Sequence, residues 1–504
     1  MRAYILAIDQ GTTGSTALVM SPDGKTLSRE NREFPQHFPA PGWVEHEPEE
    51  IWSSVEDAAA AAIRSAQVRG DEIAAIGITN QRETTLLWDR RSGEPAARAI
   101  VWQDRRTTEI CQRLRDAGHQ PDVQAVSGLV LDPYFSATKV QWLLDNTPGA
   151  RARAVRGELC FGTVDSYLLW RLTGGAKSAV HLTDATNASR TLLMDLDQLT
   201  WSHKLCRLFD VPREVLPKIR PSAGEFGRTL GFGPVADGTP ITGIAGDQHA
   251  ALFGQGCFEP GDAKCTYGTG AFALVNAGSG RPRTHHGLLE TLAWQIGDQV
   301  TYALEGSCFV AGAAIQWLRD GLGIIQSASE IEALARTVSS SEGVAFVSSL
   351  SGLGAPHWDA QARGMISGIT RGTTRAHLAR AALEGIAHQV DDLLAAMERD
   401  LGKQFGRLRV DGGAAANNLL MQLQADLSGM AVERPSDLES TARGAAMLAG
   451  LGVGLFATPN KATEMIPITS RFDVKMNEVE RSRARARWAD LIARARTKVE
   501  GEHD

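Results

Sequence analysis

The stretch YILAIDQGTTGSTALVM, residues 4–20, predicts how the chain begins to fold. Residues 4–8 are apolar and predict a β-strand, and the Gly- and Thr-rich residues 9–14 predict a tight turn. Residues 16–20 are apolar again, and the run Ser21-Pro22-Asp23-Gly24 predicts a second turn. The chain therefore starts with a β-hairpin that leads into a further strand.

The residues that follow predict a helix and then another strand. Residues 49–69 are rich in alanine and predict a helix, with Pro48 near its first turn. Residues 73–79 form an apolar run that predicts a strand. This alternation of strand, helix and strand is typical of an α/β layered fold.

The second half of the chain repeats the pattern of the first. Residues 241–246 predict a strand that enters a turn closed by Asp247 and Gln248. Residues 263–267 predict another strand, and the turn Gly268-Thr269-Gly270 leads into a strand at 271–275. Two similar hairpins half a chain apart suggest two lobes of related architecture. We place the boundary near residue 250, which gives lobes of 1–250 and 251–504.

Further elements are predicted in the second lobe. We expect helices at 312–320, 417–429 and 480–498, a strand at 408–410 and a turn at 411–413. The last helix is basic, but runs of charge usually form a solvated helix face, and this interpretation is favoured over nucleic-acid binding.

Composition excludes several classes of protein. The chain has 504 residues, with 52 Lys or Arg and 59 Asp or Glu, so its formal net charge is only −7. This balance argues against a polybasic nucleic-acid binder and against an acidic disordered protein. No run of uncharged apolar residues is long enough for a membrane span. The 6 cysteines show no CxxC spacing, which indicates reduced thiols and a cytoplasmic location.

The two Gly- and Thr-rich turns have a chemical use in common. Glycine lets backbone N–H groups approach an anion closely, and threonine hydroxyls add further donors. Each turn lies close in sequence to an aspartate, Asp9 or Asp247, and phosphates bring magnesium, which needs carboxylates. Neither a GxxxxGK[ST] loop nor the protein-kinase motifs occur, so phosphate binding would be of another type.

A polar cluster, Asn80-Gln81-Arg82-Glu83, directly follows the predicted strand at 73–79. Ligands of α/β folds bind outside the carboxyl ends of strands, where Arg82 could donate a bidentate pair of hydrogen bonds and Glu83 could accept from a hydroxyl. From these residues alone a surface Arg–Glu pair is the more probable interpretation, and Trp102 could equally be a core residue. The histidines show no HxH or HExxH spacing and no Gly-x-Ser-x-Gly motif occurs, which argues against nucleophilic catalysis.

From Ile5 to about Phe472 the sequence resembles the FGGY family of carbohydrate kinases, within the actin–hexokinase ATPase superfamily, and in particular its glycerol-phosphorylating branch. The resemblance is carried by seven motifs and a further segment, Gly354-Ala355-Pro356-His357-Trp358 with Arg363-Gly364. The motifs are IDQGTT (8–13), GITNQRETT (77–85), DPYFSATK (132–139), AGDQ (245–248), TYGTG (266–270), AGAAIQWL (311–318) and DGGAAANN (411–418).

The resemblance implies an α/β fold of two actin-like (ribonuclease H-like) lobes, with ATP and a polyol meeting in a central interdomain cleft. It implies ATP-dependent phosphorylation of glycerol to sn-glycerol 3-phosphate, with Asp247 as general base and Mg²⁺ held by Asp9 through water. The implied glycerol contacts are Arg82, Glu83, Tyr134, Asp247 and Gln248, with Trp102 and Phe272 against its hydrocarbon side. The implied nucleotide contacts are Thr12, Thr13, Gly14, Thr269, Gly312, Gln316, Gly413 and Asn417.

The sequence departs from the family pattern in two places. Enterobacterial-type members usually continue the first turn as Thr-Thr-Ser-Ser-Arg, whereas this chain has Thr13-Gly14-Ser15-Thr16, so a neutral hydroxyl replaces an arginine near the phosphates. The Gly-Lys-Arg loop associated with inhibition by fructose 1,6-bisphosphate is not recognisable at 231–238. We therefore expect this feedback to be weak or absent.

Two other functions stay open at this point. One is an FGGY kinase for another polyol or a ketose, such as erythritol or xylulose; the bulky Trp102 and Phe272 favour a smaller substrate. The other is a catalytically silent sensor or scaffold that binds nucleotide and polyol. The presence of Arg82, Glu83 and Asp247 argues against this second function. Relatives are often dimers or tetramers, so we expect a homo-oligomer, with no nucleic-acid partner.

Overall fold

A computed structural model describes residues 3–359, 361–466 and 469–497. The strands of the first half are β1 (Tyr4–Gln10), β2 (Gly14–Met20), β3 (Thr26–Glu33), β4 (Glu45–His46), β5 (Ile73–Asn80), β6 (Leu86–Asp89), β7 (Ala99–Ile100), β8 (Leu159–Gly162), β9 (Leu182–Asp184), β10 (Met194–Asp195), β11 (Thr200–Trp201), β12 (Lys218–Arg220), β13 (Ala223–Arg228) and β14 (Pro240–Gly246). Its helices are α1 (Pro48–Ser65), α2 (Thr108–Asp116), α3 (Gln120–Ser127), α4 (Ser136–Asn146), α5 (Ala150–Val155), α6 (Val164–Leu172), α7 (Ala185–Ala188), α8 (His203–Leu208) and α9 (Asp247–Gly254).

The second half contributes further strands and helices. The strands are β15 (Ala263–Tyr267), β16 (Ala271–Gly278), β17 (Leu289–Ile296), β18 (Gln299–Cys308), β19 (Ala345–Val347), β20 (Met365–Ser367), β21 (Arg407–Asp411), β22 (Ala431–Pro435) and β23 (Thr469–Phe472). The helices are α10 (Gly312–Asp320), α11 (Glu330–Ala335), α12 (Arg375–Leu401), α13 (Asn418–Ser428), α14 (Ser440–Gly452), α15 (Pro459–Ala462) and α16 (Glu478–Ala495).

The same five-strand unit occurs once in each half. In the first half the spatial order is β3-β2-β1-β5-β14, in which β1, β2 and β3 are antiparallel neighbours and β1, β5 and β14 are parallel. In the second half the order is β18-β16-β15-β21-β22, with the same strand directions. Both predicted hairpins thus form the first two strands of equivalent units, and the prediction of two actin-like α/β lobes is confirmed.

The two units belong to one 13-stranded sheet. They are joined through β17 and β13, which share a single registered pair, Ala223 with Ile296. The strands on either side of this junction are paired much more extensively; β17 and β18, for example, pair from Leu289 to Ile296, with one irregularity between Leu292 and Trp294.

The apolar sequence of β1 is explained by burial on both faces of the sheet. Leu6 and Ile8 pack into the core under α1, whereas Ile5 and Ala7 pack into a core formed with α14. A strand covered on both faces reads as a continuous apolar run, because neither set of alternate side chains faces water.

Helices α9 and α14 cross in direct backbone contact. A Cβ added at Gly254 would overlap the carbonyl oxygen of Ser440, and one at Gly444 would overlap that of Ala250. Only glycine permits such an approach. Since α9 follows the last strand of the first unit and α14 the last strand of the second, this crossing lies between the two halves.

Several predictions of local structure need correction. Asp247 and Gln248 were expected to close a turn, but they begin α9, because the chain passes from β14 into a helix at Gly246. The helix predicted at 49–69 ends at Ser65, and the one predicted at 480–498 spans Glu478–Ala495, with Lys498 outside the described residues. The boundary near residue 250 falls inside α9, and the division into 1–250 and 251–504 stays a prediction.

Two expectations about the whole chain can be compared with the structure. None of the helices in the described segments is both long and apolar enough to cross a membrane. The cysteines are unpaired and buried, at positions 111, 160, 206, 257, 265 and 308.

Candidate active site

A small cavity of about 50 Å³ lies where the two halves meet. Its lining residues are Thr12, Arg82, Glu83, Trp102, Tyr134, Asp247, Gln248 and Phe272. The structure thus brings together all the residues that the family resemblance implied for glycerol, together with one threonine of the first hairpin turn. They come from distant parts of the chain, and Phe272 alone comes from the second five-strand unit.

Arg82 is the polar centre of this pocket. It lies two residues after the end of β5 and is buried, so its guanidinium depends on protein partners. It donates to both carboxylate oxygens of Glu305, at 2.5 and 3.0 Å, and to the Tyr134 hydroxyl at 3.2 Å. Its Nε also lies 3.1 Å from the Asp247 carboxylate. The surface Arg–Glu pair that the residues alone favoured is therefore not what forms.

Glu83 is buried beside Arg82 and has an unusual backbone conformation. Its φ of 59° is in the left-handed region, which non-glycine residues adopt rarely and at an energetic cost that recurs at functional sites. Its carboxylate accepts from Arg190 Nε at 2.7 Å. Burial raises the pKa of Glu83, and Arg82 and Arg190 oppose this effect.

Two buried residues that sequence reasoning missed complete the charge network. Arg190 donates to Glu305 at 3.0 Å and lies over the ring of Phe135 at 5.2 Å, so it bridges the two glutamates. Glu305, on β18, accepts from both arginines. Burial works to raise its pKa, but Arg190 and Arg82 outweigh burial and lower the pKa to about 2. Glu305 is thus an ionised carboxylate that holds Arg82 in place.

Asp247 is the pocket's most accessible acid. As the first residue of α9 it lies at the positive end of the helix, and its side chain is 32% exposed. Its carboxylate accepts from the backbone N–H of Gln248 at 2.6 Å. A negative charge that is anchored yet reachable from the pocket is suited to accept a proton from a bound hydroxyl.

Aromatic rings form a further part of the pocket lining. Trp102 packs edge-to-face against Tyr134 at 5.7 Å and Phe272 at 6.5 Å between ring centroids. The Trp102 indole N–H donates to the Thr12 hydroxyl at 2.9 Å. Trp102 therefore lines the pocket rather than the core, and it connects the pocket to the first hairpin turn.

The second hairpin turn lies against the start of α10. The carbonyl of Thr269 accepts from the N–H groups of Ala311 and Ala313, at 2.9 and 3.0 Å, and Gly312 N donates to the carbonyl of Gly268 at 3.0 Å. Gln316 lies one helical turn further along α10. The implied nucleotide residues Thr269, Gly312 and Gln316 therefore share one corner of the second lobe.

Gly413 and Asn417 lie at the end of β21, which runs parallel to β15 with Asp411 beside Thr266. Gly413 begins a short 3₁₀ turn, Gly413–Ala416. The Asn417 side-chain oxygen accepts from Leu420 N at 2.9 Å and so caps α13. Its amide N–H₂ group stays available to donate to a ligand.

The first turn, between β1 and β2, is held by backbone hydrogen bonds. In this turn Gly11 N donates to the carbonyl of Gly14 at 2.9 Å, and the carbonyl of Thr13 accepts from Phe34 N at 3.3 Å. Thr16, the departure from the family pattern, uses its hydroxyl to accept from Asn31 on β3 at 2.9 Å. Its hydroxyl is thus already engaged within the sheet.

Asp9 has the electrostatics of a cation ligand. Burial, with Glu439 and Asp247 nearby, raises its pKa to about 8, and Arg29 opposes them. Within the described segments its carboxylate has no hydrogen bond or ion pair, and no group of three or more His, Cys, Asp or Glu could hold a metal ion. A carboxylate that lies near two other acids and has no protein partner among the residues described fits a cation such as Mg²⁺, which prefers carboxylate oxygens and water.

Sequence signals exist for Glu305 and for Lys264, a third missed residue, which lies on β15 and donates to Gln248 of the pocket. Glu305 and Lys264 are single charges inside otherwise apolar strands, in the runs YALEGSC and AKCTY. A buried charge needs a partner, so such positions indicate a charged site nearby. Arg190 carries no comparable signal, because it lies in an irregular segment after α7.

Comparison with known proteins covers nearly the whole chain. Residues 4–254 match the N-terminal domain of the FGGY family of carbohydrate kinases, and residues 263–453 match its C-terminal domain. A glycerol kinase from Myxococcus xanthus is 54% identical over 494 residues, 98% of this chain and 99% of that protein. One from Deinococcus radiodurans is 55% identical over 493 residues, 98% of this chain and 97% of that protein.

Solved structures show the same architecture. The crystal structure of Plasmodium falciparum glycerol kinase with ADP matches with a TM-score of 0.92 at 35% identity, over 98% of this chain and 99% of that one. A gluconate kinase from Lactobacillus acidophilus matches with a TM-score of 0.86 at 21% identity, over 97% and 98%, which is a likeness of fold alone.

Proposed function

The chain belongs to the FGGY family of carbohydrate kinases, and on that premise we propose that it transfers the γ-phosphoryl group of ATP to glycerol, giving sn-glycerol 3-phosphate. The observation that carries this proposal is the lining of the small pocket. Arg82, Glu83, Asp247 and Gln248 line a cavity of about 50 Å³ together with the aromatic side chains of Trp102, Tyr134 and Phe272. Relatives more than 50% identical over their full length are glycerol kinases.

The pocket matches the shape of a triol. Glycerol has three hydroxyl groups on one side and a short hydrocarbon edge on the other. The buried polar groups would be left unpaired by a substrate lacking a hydroxyl, which is how such sites discriminate strongly. Trp102 and Phe272 would contact the hydrocarbon edge, and Tyr134 and Arg82 would donate to hydroxyl oxygens.

Asp247 would be the general base. It would accept the proton of a terminal hydroxyl while that oxygen attacks the γ-phosphorus and the bond to the β–γ bridging oxygen breaks, leaving ADP. Arg82, 3.1 Å away, would hold the carboxylate in position. Positioned proton transfer of this kind contributes ~10²–10⁴-fold, and alignment of the reactants supplies much of the remainder.

The nucleotide would lie between the two hairpin turns. Thr12, Thr13 and Gly14 would approach its phosphates from the first turn and Thr269 from the second, while Gly312, Gln316, Gly413 and Asn417 would line the far end. Mg²⁺, bound with the nucleotide, would be held near Asp9 through water and would spread the developing charge. Its positive charge would also counter the repulsion that raises the pKa of Asp9.

The alternative of a kinase for another polyol or ketose is not favoured. Xylulose kinases share the fold at only 20–23% identity, as in Lactobacillus acidophilus, Brucella ovis and Bifidobacterium adolescentis, and the pocket is small. A non-catalytic sensor is disfavoured because the acid and its guanidinium partner are in place. We also propose that the protein is cytoplasmic, which the unpaired buried cysteines support. We further propose that it forms a homo-oligomer.

A substrate panel tests the proposed reaction. Formation of ADP would be followed with Mg-ATP and, in turn, glycerol, erythritol, xylulose and gluconate. We expect kcat/KM for glycerol to exceed that for each of the others by at least 100-fold. If erythritol or xylulose were turned over faster than glycerol, that compound would be the substrate. If no compound led to ADP formation, the alternative of a catalytically silent nucleotide- and polyol-binding protein would be favoured.

A further inference from the structure

Lys264 is a buried cation directly behind the pocket. It lies on β15, four residues before the second hairpin turn, and is fully buried. Its ammonium donates to Gln248 Oε1 at 2.5 Å and to Thr266 Oγ1 at 2.9 Å. Among the residues that the structure describes, no carboxylate lies within 4.0 Å of it.

This contact determines which end of the Gln248 amide faces the substrate. A lysine ammonium has three donors and no acceptor, so only the amide oxygen can lie against it. The other end, Nε2, has no hydrogen-bond acceptor within the described part of the protein. Gln248 lines the pocket, and its remaining group is therefore a donor.

The neighbouring Asp247 offers the opposite chemistry, since an ionised carboxylate can only accept. A substrate hydroxyl between the two would accept from the Gln248 amide and donate its own hydrogen to Asp247. If the amide were reversed, its oxygen would compete with Asp247 for that hydrogen. The direction of the amide thus decides where the proton of the hydroxyl points.

We propose that Lys264 is a positioning residue that locks the Gln248 amide, so that the reacting hydroxyl directs its proton to Asp247. This inference rests on the proposed glycerol kinase function and extends it to a residue outside the pocket. Burying the charged Lys264 side chain costs free energy unless the charge is hydrogen-bonded. Burial lowers the pKa of Lys264, and Asp411 and Asp247 counteract part of this effect and help to keep the lysine protonated.

A double-mutant cycle tests the proposal. Lys264→Met retains much of the side chain's length and removes its donors, Gln248→Leu removes the amide, and the two are combined. We expect Lys264→Met alone to lower kcat/KM for glycerol about 10- to 100-fold, as for loss of a charged hydrogen bond. In the Gln248→Leu background the same change should cost less than about threefold. Independent, multiplying losses would overturn the proposal.

Gln248→Glu provides a second test that leaves the lysine in place. A carboxylate at position 248 still pairs with Lys264 but presents no donor to the pocket. We expect it to lower kcat/KM for glycerol at least as much as Gln248→Leu, with the KM for ATP changed less than threefold. A near-wild-type Gln248→Glu enzyme would show that the donor is not needed and would overturn the proposal, even if Lys264→Met failed to fold.

The same assays separate this inference from the proposed function. Wild-type protein that forms no ADP with glycerol would overturn both. If the wild type were active and the losses in kcat/KM from Lys264→Met and Gln248→Leu multiplied in the double variant, only the proposed role of Lys264 would be overturned. Thermal melting of every variant shows whether a loss of activity follows from a loss of folded protein. If Lys264 had a purely structural role, Lys264→Met would lower kcat/KM for glycerol and for ATP by the same factor.

Discussion

Replacing Glu305 with glutamine should weaken both the fold and glycerol binding. The Glu305 carboxylate accepts hydrogen bonds from Arg82 and Arg190, and all three side chains are buried. Glutamine keeps the shape but removes the charge and one acceptor oxygen, so at least one hydrogen bond is lost. Arg190 then keeps Glu83 as its ion-pair partner, and Arg82 keeps Glu83 and Asp247.

The size of the effect follows from the pKa. The arginines lower the pKa of Glu305 from 4.5 to about 2 in spite of burial. This shift corresponds to about 3 kcal/mol of preference for the ionised form. Removing one partner of a buried ion pair costs about 3–5 kcal/mol, which is of the same order. We therefore expect the free energy of unfolding of Glu305→Gln to fall by about 3 kcal/mol at pH 7.

The pH dependence has a defined sign. A carboxyl group whose pKa is lower in the folded protein stabilises the fold above its unfolded pKa and loses that contribution as the pH falls. For Glu305 the loss should occur between about pH 4.5 and 2. The difference in stability between wild type and Glu305→Gln should therefore shrink across this window.

Urea unfolding and coupled kinetics would measure the two effects, with Glu290→Gln as the matched control. Glu290 is also a buried glutamate on a neighbouring strand, paired with Arg281 at 2.7 Å, but it does not line the pocket. Both variants should be destabilised, whereas only Glu305→Gln should raise the KM for glycerol, by about tenfold or more. Equal KM values in the two variants would refute the reasoning that Glu305 holds Arg82 in its binding geometry.

Three further predictions concern the pocket, the first turn and regulation. Asp247→Asn should lower kcat by about 10²–10⁴-fold while calorimetry still detects glycerol binding, and a near-wild-type rate would exclude Asp247 as base. Because the pKa of Asp9 is raised from 3.8 to about 8, thermal stability without nucleotide should fall as the pH rises through that range. Asp9→Asn should make the melting temperature depend less on pH, and an equally steep pH dependence in the variant would contradict this prediction. Fructose 1,6-bisphosphate should leave the activity unchanged, since residues 231–238 lack the Gly-Lys-Arg loop; strong inhibition would refute this.

Local patterns in the sequence were sufficient to predict the repeated hairpins. Apolar runs on either side of a Gly- and Thr-rich turn determine the structure of residues 4–20 and 263–275 over short distances. The pocket residues could be predicted only through the family motifs, because side chains such as Arg82 and Trp102 look like ordinary surface or core residues by themselves. Their meeting depends on the assembled sheet.

The rest of the site depends on contacts between distant segments. Glu305 reaches Arg82 across 223 residues of sequence and Arg190 across 115. No periodicity links such positions, so their pairing follows only from the order of strands. Asp247 was misassigned to a turn for a related reason: its helix starts immediately at the end of β14, without a polar cap residue that would mark the boundary.

The glycine contact between α9 and α14 has a mechanical consequence. At Gly254 and Gly444 the backbones of the two helices are too close for any side chain to fit between them. Among the residues that the structure describes, β13 and β17, which connect the two five-strand units, share one registered pair, Ala223 with Ile296. A larger residue at Gly444 would force α9 and α14 apart, and Asp247 at the start of α9 would then be displaced although no residue of the pocket had been changed.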